Sequence, residues 1–182
     1  MVTIRLETDD DLDAVHRVHA EAFADEPVVA DLLAPLRARS APLPAVGFVA
    51  EEEGDVVGHV LLSHAWLDAP RRLVDVHVLS PLGVLPSEQD RGIGSELVRA
   101  AVAESDRLGV PALFLEGDPA YYSRVGFRAG GPLGFREPSL RSPPAAFQVV
   151  LGAAYEPWMT GTLVYPDVFW AYDAVGLRDP EA

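Results

Sequence analysis

The feature that most constrains the fold is a change of hydrophobic period on either side of a glycine-rich turn. Three runs of β-type composition come before the turn, at 45–53, 56–66 and 73–85. After the turn, apolar residues recur at three- and four-residue intervals from Ile93 to Leu108, and Gly109 and Pro111 end the pattern. The sequence therefore predicts neighbouring antiparallel strands followed by one well-defined amphipathic helix.

Shorter elements surround this central part. The pair Gly54-Asp55 has the composition of a tight hairpin turn between the first two runs. The other predictions are a strand at 2–7, a helix capped by Thr8 that reaches Phe23, a helical piece at 27–39, a strand at 112–116, a short helix at 119–124, an extended piece from Phe127, a loop at 130–144 and a late strand at 161–165. The strand, helix, strand order in the second half implies a parallel pairing.

Composition narrows the class of protein. A length of 182 residues, 49% of them hydrophobic, favours one domain over residues 1–182 with a substantial core. The absence of cysteine excludes disulfides and thiolate chemistry, and no apolar run reaches the ~18 residues of a membrane span. The sequence does not start like a secretory signal, so we expect a cytoplasmic protein. The net charge of −14 opposes binding to nucleic acid and favours cationic partners.

The turn itself is suited to binding an anion. Residues 82–95 read LGVLPSEQDRGIGS and lead directly into the predicted helix. Unpaired N–H groups and the helix dipole can hold a pyrophosphate at such a place, although an ordinary strand-to-helix turn has a similar composition. The dinucleotide fingerprint of Rossmann folds is excluded because its third glycine is missing, and the Gly-Lys-Ser/Thr ending of a nucleoside-triphosphate loop is also absent.

At these residues the sequence resembles the GCN5-related N-acetyltransferase (GNAT) superfamily and, within it, the YhbS-like group. The segment Gln89–Gly94 fits the family's pyrophosphate pattern, Gln/Arg-x-x-Gly-x-Gly/Ala, and 82–86 is similar to its fourth strand. A second block, 115–127, resembles the fifth strand, the next helix and a Tyr-x-x-x-Gly-Phe ending that starts at Tyr122. Two such blocks in the expected order make the resemblance specific.

The resemblance implies an α/β fold with a mixed, mostly antiparallel central sheet that is flanked by helices, contains a parallel central pair and is splayed between its fourth and fifth strands. It covers roughly residues 2–128, whereas 129–182 is less typical. It also implies acetyl-CoA as the donor, bound in that opening, with the backbone of Val84 against the pantetheine arm. The implied coenzyme-binding residues are Leu82, Gly83, Val84, Gln89, Asp90, Arg91, Gly92, Ile93, Gly94 and Ser95.

In the implied reaction an amine attacks the thioester directly, and the departing thiolate needs a proton. Tyr122 is the candidate acid, because a phenol with a pKa near ~10 is protonated at neutral pH and can donate to a thiolate whose conjugate acid lies near ~8.5. The alternative is that Tyr122 only packs its ring against the pantetheine or the core.

The base that accepts a proton from the amine is less defined. Asp75 and His77 lie two residues apart on one strand face, and Glu116 ends the fifth strand beside the expected opening. Some relatives carry a base glutamate at a fourth-strand position that is Val78 here. We take Glu116 as the candidate, against the alternative that each of these side chains is an ordinary solvated or hydrogen-bonded strand residue.

Other conspicuous residues receive structural interpretations. His16 and His19 are expected to be exposed helix histidines, so no metal site is predicted. The acidic run Glu51–Glu53 is interpreted as a solvated hairpin tip. The aromatic residues near the end of the sequence fit either a core or an acceptor pocket: Trp158, Phe169, Trp170 and Tyr172.

The sequence thus predicts an acetyl-CoA-dependent N-acetyltransferase that acts on a primary amine of a small molecule or a protein. No nucleic-acid or membrane partner is expected. The resemblance leaves the oligomeric state open, although homodimers are common in the family. The alternative is a non-catalytic acyl-CoA-binding or sensing module on the same fold, and an NAD- or nucleotide-binding domain is disfavoured by the missing motif residues.

Overall fold

The computed structural model describes residues 1–39 and 42–175. Its strands are β1 (Thr3–Leu6), β2 (Val46–Glu52), β3 (Asp55–Asp68), β4 (Leu73–Val84), β5 (Ala112–Glu116), β6 (Arg128–Ala129), β7 (Phe135–Arg136), β8 (Phe147–Leu151) and β9 (Gly161–Val164). Its α-helices are α1 (Leu12–Ala22), α2 (Val28–Asp31), α3 (Leu33–Arg37), α4 (Ile93–Arg107), α5 (Pro119–Tyr122) and α6 (Asp167–Ala171). Within these described residues no helix is long and apolar enough to cross a membrane.

The strands form one mixed sheet in the order β1-β2-β3-β4-β5-β8-β6, and β9 pairs with both β3 and β7. Most of the pairings are antiparallel, but β4 and β5 run parallel, as a connection through α4 requires. The parallel register is short, His77 opposite Leu113 and Val78 opposite Phe114, and β4 continues past it to Val84. The predicted fold class, a mixed sheet with a parallel central pair and flanking helices, is confirmed.

The described residues group into two compact units. One consists of Met1–Ser63 and Leu79–Glu104, and the other of His64–Val78 and the residues from Ser105 onward. The boundaries fall inside β3, β4 and α4, so the chain passes from unit to unit within continuous elements. We retain one domain over residues 1–182 as a proposal.

Each unit contains a tight packing contact that follows from its sequence. In the first, Gly58 lies beneath α4, because a Cβ there would be 3.1 Å from Leu97 and 3.2 Å from Ile93. In the second, the ring of Phe114 stacks on Phe147 with centroids 5.7 Å apart and meets Phe135 edge-on at 5.0 Å.

Three sequence predictions need correction. The region expected to be a loop at 130–144 contains β7, and the following strand β8 was not predicted at all. Because β8 lies between β5 and β6, the extended piece after Phe127 does not pair with the 112–116 strand. The hairpin turn is one residue earlier than expected: Glu53 and Gly54 take positive φ angles of 55° and 93°, and Glu52 pairs with Asp55.

Candidate functional site

The glycine-rich segment forms a compact turn between β4 and α4 in the first unit. The side-chain amide of Gln89 donates a 3.1 Å hydrogen bond to the carbonyl of Val84, which joins the two ends of the turn. Asp90 and Gly92 adopt left-handed φ angles of 60° and 82°. The helical ladder begins where the N–H of Glu96 bonds to the carbonyl of Gly92 at 3.1 Å, so the N–H groups before it precede the first intrahelical bond. This geometry is suited to binding a phosphate group.

The Arg91 side chain stabilises the turn. Its guanidinium donates to both carboxylate oxygens of Glu52 at 2.7 and 3.0 Å and also contacts Glu88. Hydrogen bonds from Arg91 lower the pKa of Glu52, and the two carboxylates raise the pKa of Arg91. The charge of Arg91 is thus already neutralised, and its side chain holds the shape of the turn.

Tyr122 ends α5 in the second unit. Asp118 caps this short helix by accepting the N–H of Ala120 at 2.8 Å. The Tyr122 ring packs so closely on Gly117 that a Cβ there would overlap it, and it meets Phe127 edge-on at 5.8 Å. Burial raises the pKa of Tyr122 to about 12. Among the described residues none makes a hydrogen bond to its hydroxyl.

The last two residues of the Tyr-x-x-x-Gly-Phe motif have a backbone explanation. Gly126 adopts φ 97°, a conformation that glycine reaches without strain, and this ends the helical turn that follows Tyr122. The N–H of Phe127 then bonds back to the carbonyl of Tyr122 at 3.2 Å. The motif therefore fixes the position of the Tyr122 ring.

Glu116 lies at the end of β5, next to Gly117. Its Oε1 atom accepts hydrogen bonds from the hydroxyl of Tyr165 at 2.7 Å and of Ser142 at 2.9 Å. Tyr165 is buried, and burial, followed by the negative charge of Glu116, raises the pKa of its phenol well above the usual value. Glu116 thus directly precedes Gly117, the residue on which the Tyr122 ring packs, and both candidates belong to one unit. The sequence analysis missed Tyr165 and Ser142, because no local pattern connects them with Glu116.

Asp75 and His77, the other base candidates, have structural partners. The Oδ1 atom of Asp75 lies 2.9 Å from Nε2 of His64 on β3. Nδ1 of the buried His77 lies 3.0 Å from the hydroxyl of Ser105 on α4. Val78 is buried in the sheet.

The histidines of α1 differ from the expectation that both are exposed. His16 is exposed, but His19 is fully buried, and its Nε2 lies 2.8 Å from Nδ1 of the equally buried His59 on β3. His59 was not singled out in the sequence, because an isolated histidine in a strand carries no motif. In residues 1–39 and 42–175 no group of three or more His, Cys, Asp or Glu side chains is arranged to hold a metal ion.

The acidic hairpin and the late aromatic residues have ordinary contacts. Glu51 pairs with Arg5 and Glu52 with Arg91, so the hairpin is only partly solvated. Phe169 is buried against Tyr165, whereas Trp158 lies beneath the guanidinium groups of Arg71 and Arg72 at 5.1 and 5.5 Å. Trp170 and Tyr172 are each 38% exposed.

A sheet with a short parallel β4–β5 register, preceded along the chain by antiparallel strands and followed by a glycine-rich turn before α4, is the architecture of the acetyltransferase fold. The sequence profile of the Acetyltransferase (GNAT) family matches residues 6–127. The chain belongs to this family.

Two curated relatives from Escherichia coli K12 share about a third of the aligned residues. The uncharacterized N-acetyltransferase YjhQ is 31% identical over 137 residues, which cover 75% of each chain. The uncharacterized N-acetyltransferase YhbS is 32% identical over 141 residues, 76% of this chain and 78% of YhbS. The expected resemblance to the YhbS-like group is confirmed.

Solved structures agree over almost the whole chain. The GNAT family N-acetyltransferase YhbS from Escherichia coli, in complex with CoA, superposes with a TM-score of 0.80 at 26% identity and covers 92% of this chain and 91% of its own. A GNAT family acetyltransferase from Brucella melitensis, in complex with acetyl-CoA, gives 0.74 at 28% identity and covers 93% and 98%. The coenzyme expected from the sequence is therefore the one that these neighbours bind.

Proposed function

We propose that this protein transfers the acetyl group of acetyl-CoA to a primary amine of a small molecule or of a protein. The observation that carries the proposal is the turn before α4, whose backbone N–H groups precede the helical ladder in a chain of the GNAT family. The protein would act as a single domain in the cytoplasm, and its net charge of −14 favours a cationic acceptor over nucleic acid.

In this proposal the turn holds the coenzyme by its pyrophosphate. The N–H groups of Asp90–Ser95 and the positive end of the α4 dipole complement the phosphate charge. The backbone of Leu82–Val84 lies beside the pantetheine arm, and Gln89 maintains the shape of the turn through its bond to Val84.

Tyr122 would protonate the departing thiolate. Its raised pKa keeps the phenol protonated throughout the neutral range, and its hydroxyl has no competing partner in the described chain. A thiolate that leaves into the same water-poor surroundings is also more basic than in water, because desolvation disfavours its charged form. The rise in the pKa of the phenol is therefore offset by a rise in the pKa of the thiol in the same direction.

Glu116 would accept a proton from the amine nitrogen. Tyr165 and Ser142 hold one carboxylate oxygen, Oε1, in a defined position, which leaves the other oxygen for the substrate. The phenol of Tyr122 would then regain its proton from solvent after turnover.

Thermal unfolding with acetyl-CoA, CoA, NAD and ATP, each at millimolar concentration, tests coenzyme binding, since a ligand that binds only the native state raises the free energy of unfolding. We expect the melting temperature to rise with acetyl-CoA and CoA and to stay unchanged with NAD and ATP. A panel of amines, followed by thiol release, then tests turnover. A shift without turnover would favour the non-catalytic acyl-CoA-binding module, and no shift with either CoA species would refute the proposal.

A charge added to the turn provides a matched pair of variants. Gly94→Asp places a carboxylate in the first turn of α4, where it favours the helix but repels a pyrophosphate. Ala103→Asp adds the same charge at an exposed position of the same helix. We expect the first variant to lose the acetyl-CoA shift and the second to keep it.

A further inference from the structure

One face of the sheet in the second unit extends beyond the helix that covers it. On this side of β4, α4 reaches as far as His77, which is fully buried with Nδ1 3.0 Å from the hydroxyl of Ser105. Leu73 and Asp75 precede His77 on the same face of the strand, and both are exposed. Asp75 lies 2.9 Å from His64, which connects this part of β4 to β3.

The same face continues across β3, β9 and β7. Trp66 of β3 is the register partner of Val164 of β9, and both are exposed while their neighbours along the two strands are buried. Thr162 of β9 pairs with Asp68 on one side and with Arg136 of β7 on the other. We call this surface the open face. Its outward side chains, in strand order, are Leu73 and Asp75, Trp66 and Asp68, Val164, and Arg136.

The centre of the open face is apolar. The outward positions of a solvated antiparallel sheet are normally polar, but here Leu73 is 51%, Trp66 38% and Val164 36% exposed. Trp66 and Val164 stand directly opposite each other, and the ring of His64 meets Trp66 edge-on at 5.4 Å. Apolar side chains that are grouped on a surface, and not scattered singly, indicate a contact with another molecule.

The charged side chains lie on opposite sides of this apolar centre. Asp68 and Asp75 belong to β3 and β4, whereas Arg136 belongs to β7. Nε of Arg136 donates a 2.8 Å hydrogen bond to the hydroxyl of Thr162. Among residues 1–39 and 42–175, neither Arg136 nor Asp68 forms an ion pair. The open face therefore has a negative side and a positive side.

Such a face is complementary to itself. A two-fold axis that runs parallel to the strands, between β3 and β9, places β3 of one copy over β9 of the other and β4 over β7. Trp66 of each copy then lies over Val164 of the other, because the two residues are at the same level. Arg136 of each copy lies toward Asp68 and Asp75 of the other. Sheets that pack face to face are about 10 Å apart, a distance that side chains of these sizes fill.

The charge of the whole chain also favours a second copy as the occupant. With 28 acidic and 14 basic residues, two copies repel each other over most of their surfaces, so they can approach only where the charges are arranged to match. A partner with one sign of charge would match one side of the open face and be repelled by the other side. A second copy matches both sides.

We propose that the open face joins two copies of this chain in a two-fold symmetric dimer, with Trp66 and Val164 at its centre and Arg136 facing Asp68 and Asp75 at its edges. The four strands span about 15 Å at their usual spacing, so the contact is smaller than a standard interface of about 800 Å² per partner. We therefore expect reversible association with a dissociation constant of about 10–100 µM.

Sedimentation velocity of the full chain tests the association. Concentrations from about 5 to about 500 µM, in about 0.3 M salt to screen the long-range repulsion between copies, cover the expected range. We expect the average mass to rise with concentration from that of one chain toward that of two. A mass that stays at one chain throughout, or that passes two chains, would overturn the proposal.

A charge at the centre of the open face tests its location. Val164→Glu should keep the chain monomeric throughout this range, because the contact would bury two carboxylates against apolar side chains. Leu6→Glu is the matched control, since Leu6 is an exposed strand residue of the first unit, and it should associate like the wild type. The melting temperature of each variant at low concentration shows whether it is folded. A folded Val164→Glu protein that dimerises like the wild type would overturn the proposal.

Charge reversal tests the two-fold arrangement and remains available if Val164→Glu does not fold. Arg136→Glu and Asp68→Arg should each weaken the association about 10-fold or more, since each brings like charges together at both edges. The double variant should recover most of the wild-type affinity. Equal association of the wild type and both single variants, or a double variant weaker than either, would refute this arrangement.

The dimer and the proposed function can fail separately. The stabilisation by acetyl-CoA should be the same in the wild type and in Arg136→Glu, because the open face contains no residue of the turn before α4. A wild type that dimerises without this stabilisation would refute the proposed function alone, and a stabilised chain that stays monomeric would refute the dimer alone.

Discussion

The hydroxyl of Tyr165 donates a 2.7 Å hydrogen bond to the carboxylate of Glu116, across 49 residues of sequence. Tyr165 follows β9 and Glu116 ends β5, so the bond connects the late part of the chain to a candidate catalytic carboxylate of the family motif region. Residues outside the strongest sequence resemblance thereby contribute to the proposed active site.

Tyr165→Phe removes this hydrogen bond and leaves the buried ring in place. We expect the free energy of unfolding to fall by about 1–2 kcal/mol, because a hydrogen bond to a charged group is lost while Ser142 still donates to the same oxygen. Urea denaturation measures the change, and Tyr172→Phe, at a 38% exposed position, is the control. If the carboxylate also acts on the amine, KM for the amine or kcat will change as well. Equal stabilities of the two variants would show that the bond contributes nothing.

Tyr122→Phe should lower kcat by about 100-fold or more without lowering the melting temperature, because the ring keeps its contacts and only the proton donor is lost. Burial raises the pKa of Tyr122 to about 12, so the phenol should not limit the rate of the wild type at any pH up to about 10. The pH–rate profile of the wild type checks the second statement. Unchanged turnover in the variant would remove Tyr122 from the mechanism.

The parts of the site that sequence could predict are those encoded over a few residues. The turn at Gln89–Gly94 is recognisable because its glycines come directly before the start of a helix. The Tyr122 motif is recognisable because the turn after Tyr122 needs a glycine at position 126, where φ is 97°. The hydrogen-bonded contacts of His59 with Glu7 and with His19 are not recognisable, since they join residues 52 and 40 positions apart. Strand β8 has a β-type composition, FQVVL, that the sequence analysis passed over, but its position between β5 and β6 depends on long-range pairing and not on local composition.

Acid should destabilise the protein through the buried histidines. The pKa of His19 is about 2 in the folded state against 6.5 ordinarily, so the unfolded state binds the proton first as the pH falls. The stabilising contribution is complete above pH 6.5 and is lost progressively below it, by about 1.4 kcal/mol per pH unit for this residue. Urea denaturation at pH 7 and pH 5 measures the slope. His19→Gln should reduce it and His16→Gln should not, and equal slopes for both variants would contradict the assignment.

Gly83→Ala tests the contact between β4 and the histidine of α1. The added Cβ would lie 2.9 Å from Nδ1 and 3.0 Å from Cε1 of His19 and 3.5 Å from Ala22, so the ring must move. We expect a loss of about 1–3 kcal/mol in the free energy of unfolding, the usual consequence of overpacking, whereas Gly131→Ala, which meets no atom within 4 Å, should be nearly neutral. In a double-mutant cycle with His19→Ala the loss should largely disappear, because the smaller side chain makes room for the methyl group. Additive effects of the two substitutions would mean that the His19 ring does not press on β4.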